Sequence, residues 1–95
     1  MPLFKQTAEV IPFTADFTDV LPSGETIQST STVKVYDSTG ADVSATMVVS
    51  KTVSSPKLTG VVQAGTSSDT ALYKITWKAI TQNYTFEHDE VLQVK

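Results

Sequence analysis

The chain has no cysteine and no arginine, one histidine and four glycines, and its apolar stretches are no longer than pairs and triplets such as Met47-Val48-Val49. Without cysteine there are no disulfides, no thiolate metal sites and no cysteine nucleophile. The basic residues are all lysine, the formal charge is −3 and the isoelectric point is about 4.8. Duplex nucleic acid is therefore an unfavourable partner, because neutralising its phosphates takes a basic patch and usually arginine forks. The start, Met1-Pro2-Leu3-Phe4-Lys5-Gln6, carries no apolar run of signal-peptide length, and nothing is long enough to span a membrane. Neither secretion through a signal peptide nor a membrane partner is expected. Gly24, Gly40, Gly60 and Gly65 are isolated, so no phosphate-cradling loop is present. A hydrolytic triad would have to use His88, and no serine stands in a Gly-x-Ser-x-Gly elbow. These absences point to a non-enzymatic protein without cofactors.

What is abundant is serine with threonine, 25 of 95 residues, and valine, 12 more. Such a chain favours strands, since β-branched side chains suit a pleated surface and lose rotamer freedom in a helix. Turn signals recur at short intervals: Pro22-Ser23-Gly24, Ser38-Thr39-Gly40, Ser54-Ser55-Pro56, Ala64 to Asp69, and Gln82-Asn83. Between them strands are expected over about 8–14, 26–36, 43–53, 57–64, 71–81 and 84–94, with a short one near 16–20. Alternation is clearest where Ala71, Tyr73, Ile75, Trp77 and Ala79 share one face and Lys74, Thr76 and Lys78 the other. Val43, Ala45, Met47, Val49 and Val53 also share a parity, broken by Lys51. The last segment alternates through Tyr84, Phe86 and His88 and resumes at Leu92 and Val94; Asp89-Glu90-Val91 between them suggests a bulge. No window sustains apolar residues at helical spacing, so nothing longer than a turn or two of helix is expected. The chain reads as one all-β domain over 1–95, with residues 1–8 as a flexible N-terminal arm.

Asp69-x-Ala71-x-Tyr73, followed two residues on by Ile75, matches the tyrosine corner of immunoglobulin domains, where Ile75 takes the place of the second cysteine. There the ring is buried and its hydroxyl bonds back to the local backbone. With Trp77 on the same parity, these five residues are the expected structural core of an Ig-like antiparallel sandwich of about seven strands without a disulfide. Pro12 and Pro56 should mark sheet edges or strand ends, since proline cannot donate to a ladder. Glu87-His88-Asp89-Glu90 supplies too few same-face ligands for a structural metal site, and reads as a charged strand end that blunts an edge. Asp16, Asp19 and Glu25 form a second acidic patch, read as a polar rim around turns. Asn83-Tyr84-Thr85 fits the glycosylation acceptor pattern but reads as a hairpin turn. Tyr36 and Tyr84 are the aromatic residues free to make surface contacts.

Several stretches together resemble a group of small phage-encoded proteins with Ig-like folds. These are Val10 to Phe17, Leu21 to Ile27, Val35-Tyr36-Asp37-Ser38-Thr39-Gly40-Ala41-Asp42-Val43, Tyr73-Lys74-Ile75-Thr76-Trp77 and His88 to Val94. Gln82-Asn83-Tyr84 departs from that layout, standing where a glycine is expected in the last hairpin. The resemblance implies a virion structural, decoration or assembly-accessory protein that acts through protein–protein contacts with capsid or tail protomers. It implies location in the virion after synthesis in the host cytoplasm. A short domain without disulfides buries a limited share of its surface, so homo-oligomerisation or a symmetric assembly is also expected. The other reading is a carbohydrate-binding or cell-surface adhesion module, which would need an aromatic ridge outside the core.

Overall fold

The computed structural model describes residues 3–95. In chain order the elements are β1 (Leu3–Lys5), β2 (Ile11–Asp16), β3 (Thr32–Tyr36), the single-turn helix α1 (Ser44–Met47), β4 (Val48–Ser54), β5 (Lys57–Val62), β6 (Tyr73–Ile80) and β7 (Thr85–Val94). The seven strands form two sheets, one in the order β1-β7-β6-β3 and the other β2-β5-β4. That order is consistent with an immunoglobulin-type sandwich, whose second, fifth and fourth strands form one sheet and whose third, sixth and seventh form the other. No helix among the described residues is long and apolar enough to cross a membrane.

Two-residue alternation builds the interior. On β6 the residues Ile75, Trp77 and Ala79 are fully buried, and Val33 and Val35 of β3 and Leu92 and Val94 of β7 join them from the same sheet. The facing sheet contributes Ala15, Leu58 and Val62, and the connections add Phe17, Ile27 and Met47. Gly60 on β5 faces Val33 across the sandwich, and the absence of a side chain there lets the two sheets approach.

The sheets depart from the sequence-based expectations in five places. Leu3–Lys5, assigned to an arm, pairs parallel to β7 with Leu3 opposite Leu92, so one sheet is mixed and not purely antiparallel. The short strand near 16–20 is absent: Asp16 accepts from the Thr18 N–H at 2.9 Å, and Val20 and Leu21 both donate to the Phe17 carbonyl. Within 26–36 only β3 is a strand, because Ser31 puts its side chain in the ladder's place, its Oγ accepting from Ile80 N at 2.9 Å. The segment 43–53 begins as α1; Asp42 accepts from Ser44 N, and Ser44 Oγ accepts from Val35 N, which turns the chain locally. Finally, β6 and β7 pair without interruption from Tyr73–Leu92 to Ile80–Thr85, so Asp89-Glu90-Val91 holds no bulge. The irregularity lies instead in β4 between Val48 and Ser50. It turns Val49 out to solvent while Val48 and Val53 both pack against the core.

Candidate functional site

The five residues of the corner motif are divided by the structure. Ile75 and Trp77 are fully buried, Tyr73 is half-buried, and Asp69 and Ala71 are exposed. The Tyr73 hydroxyl accepts from the backbone N–H of Thr66 at 2.9 Å, seven residues upstream. Trp77 Nε1 is buried without a hydrogen-bond partner among the described residues. Tyr36 lies on the outer face of its sheet with Lys74 Nζ 5.2 Å from its ring centre. Tyr84 is 53% exposed and tilted against Phe86, with ring centres 6.1 Å apart. Six residues of β6 separate the levels of Tyr36 and Tyr84, about 20 Å along the strand, so the two do not form one platform.

The acidic residues mostly hold turns. Asp16 serves the 16–18 turn, where its carboxylate accepts from the Thr18 hydroxyl and backbone, and those bonds hold its pKa below the usual carboxylate range. Glu25 instead reaches across the chain to the last hairpin. It accepts from Thr81 Oγ1 at 2.6 Å, Asn83 N at 3.0 Å and Asn83 Nδ2 at 2.9 Å, and the Thr81 and Asn83 bonds lower its pKa. Gln82 completes the clip, exchanging hydrogen bonds with Thr26 N and Thr26 Oγ1. This long-range clip explains how Gln82-Asn83 turns the chain without glycine; neither residue adopts a positive φ.

Three of the sandwich's edges carry devices that discourage further pairing. The β2 edge contains Pro12, which has no N–H to donate. The β3 edge is covered by its own loop, with Val43 N donating to Val35 O and Asp37 N to Ala41 O. The β4 edge is bulged, and Lys51 reaches from it to the carbonyls of Ser29 and Ser31, both at 2.6 Å.

The β7 edge differs. β1 covers it only over Leu92–Val94, where Lys95 N donates to Lys5 O at 2.7 Å. By the alternation of a strand, Glu87, Asp89 and Val91 turn their N–H and C=O groups toward that same side. Over Thr85–Val91 no named strand pairs there among the described residues. Beside this open stretch, between β7 and the edge of β2, lies a groove of about 280 Å³ lined by Ala15, Phe17, Val20 and Phe86 with Asp16, Glu87, His88 and Glu90. Ala15 and Phe17 form its buried floor, Val20 is half-exposed, and His88 Nε2 stands 3.6 Å from Glu90 Oε1 on its wall. Among the described residues the groove thus lies beside unpaired main-chain groups and combines an apolar floor with a carboxylate rim. Composition did not disclose it, because it arises from how little of β7 the first strand covers.

No curated protein and no solved structure matches the chain. Residues 5–94 match the family described as podophage GP4 fiber-tail adaptor protein gp77. With nearly its whole length matched, the chain belongs to that family, whose members are phage virion structural proteins working through contacts with other virion proteins.

Proposed function

We propose that this protein is an adaptor that joins fibre and tail components of a short-tailed phage particle, holding them by surface contacts and performing no reaction. The family match over residues 5–94 is the observation that carries this reading. The shape supports it: the sandwich is elongated, 42 × 22 × 20 Å. Such a body can contact two neighbours at once without large internal motion. The protein acts as one of several copies in a symmetric arrangement.

The test is chemical cross-linking and mass spectrometry on purified virions. The chain should be present in multiple copies, cross-linked to at least one tail and one fibre protein. Particles that carry fibres but contain none of this chain would sink the adaptor reading. Sedimentation of the isolated protein across a concentration series addresses the copy number, and monomer alone at high concentration would count against self-association.

A further inference from the structure

We propose that the open stretch of β7, Thr85–Val91, is a docking edge for an extended, lysine- or arginine-bearing segment of another virion protein, which adds as a strand in line with β1. This deepens the adaptor reading and rests on it.

Three observations carry it. First, the edge has main-chain capacity: in β-strand addition such groups supply affinity, while alternate side chains supply specificity. Second, the chain's own β1 shows that this edge takes a strand, and shows the pattern it takes. Leu3 and Lys5 point inward, and the buried Lys5 donates to the carbonyls of Gln6, Thr7 and Ala64. A strand continuing that line would drop its inward side chains into the groove, onto Phe17, Val20 and Phe86 near one end and beside Glu90 near the other.

Third, the charge selects the occupant. Glu87 and Asp89 on the outer face, with Glu90 and Asp16 on the groove side, set carboxylates on both sides of the incoming strand. A second copy pairing β7 to β7 would bring these carboxylates against one another, so the same charges that welcome a cationic strand repel self-addition. Like charges directly opposite are destabilising in a sheet, and building repulsion against the wrong partner is how specificity is commonly obtained. The cluster therefore blunts the edge against this chain alone, and leaves it open to a basic one.

The experiment titrates the full-length, isotope-labelled chain with two synthetic peptides, one alternating lysine with valine and one alternating glutamate with valine, followed by amide NMR. The lysine peptide should shift and protect the amides of Glu87, Asp89 and Val91 and broaden Phe17 and Val20, with affinity falling as salt rises; the glutamate peptide should do neither. The charge-swap variant E87K/E90K, confirmed as folded by its amide spectrum, should bind the lysine peptide at least tenfold more weakly and gain binding of the glutamate peptide. Equal binding of both peptides by the parent chain, shifts confined to β3 and β6, or concentration-dependent β7 shifts without peptide would each overturn the proposal.

A phage carrying E87K/E90K separates this inference from the adaptor reading. A folded variant that is lost from particles, together with their fibres, supports the docking edge. If the variant enters particles normally and fibres remain attached, the edge proposal fails while the adaptor reading stands. Absence of the unaltered chain from wild-type particles removes the adaptor reading itself.

Discussion

Gly60 sits where a single methyl group would meet Val33 Cγ1 at 2.8 Å, closer than carbon atoms pack. Its φ is not positive, so the constraint is space and not backbone conformation. Replacing glycine by alanine reduces unfolded-chain entropy, a gain of up to about 1 kcal/mol. Overpacking a close interior contact costs about 1–3 kcal/mol. The cost should win, because Val33 is β-branched and cannot swing aside. G60A is therefore expected to lower the denaturation midpoint with an unchanged denaturant slope. Val33→Ala placed in the same chain should recover part of the loss, so that the double variant is less destabilised than the two single effects added. Simple additivity would show that the two residues do not press on one another. Trp77 offers a contrast at the same scale: its ring is wholly buried, yet its N–H has no partner. Trp77→Ala should cost about 3–5 kcal/mol. Trp77→Phe should cost clearly less than Trp77→Ala: both delete the unpartnered donor, but phenylalanine keeps most of the buried ring and leaves a smaller cavity. Equal losses for the two variants would contradict this.

At the scale of elements, the β6–β7 hairpin depends on a residue far away in sequence. Glu25 holds Thr81 and Asn83 from more than fifty positions upstream. Glu25→Ala should leave the sheets intact but speed hydrogen exchange at Asn83 and Tyr84 severalfold, measured amide by amide; unchanged exchange there would mean the turn holds itself. This clip is not legible in the sequence, where Glu25 shares only its charge with Asp16 and Asp19. Legibility followed the reach of the physics. Ile75, Trp77 and Ala79 could be placed inside from their spacing, because a long regular strand expresses its two faces directly. Val43 and Met47 could not be placed on the right element. They are equally spaced for two-residue alternation and for the i, i+4 spacing of a helical turn, and Ser44 hydrogen bonds decided between them. Ser31 likewise delays the start of β3 by a side-chain hydrogen bond that composition does not announce. The groove beside β7 was still less visible. Its acidic residues read from the sequence as a charged edge, but its floor comes from β2 and the turn after it, and neither element predicts the other.

For the molecule as a whole, charge ties stability to pH through hydrogen bonds more than through ion pairs. Asp16, Glu25, Asp37 and Asp42 all have lowered pKa values, chiefly because the hydroxyls of Thr18, Thr81 and Thr39 donate to the first three and Ser44 hydrogen-bonds to Asp42, its backbone N–H at 2.9 Å. A bond to the charged form favours that form. In the unfolded chain these bonds are gone and each group titrates near about pH 4. As pH falls, the unfolded state therefore takes up protons first, so folding stability, complete above that range, declines as pH drops through the lower folded values. Lys5 acts in the opposite range: burial lowers its pKa, so the unfolded chain holds that proton to higher pH and stability should rise as the alkaline range is approached. Thermal melting between about pH 2 and pH 10 separates the two limbs. Asp37→Asn should make the acid decline shallower, since Asp37 would no longer change charge while its neighbours Thr39 and Ala41 keep an oxygen to donate to. Lys5→Met should flatten only the alkaline limb. A chain whose melting temperature is constant from about pH 5 down to about pH 2 would show that these carboxylates titrate alike folded and unfolded, and that the turns they serve stand without them.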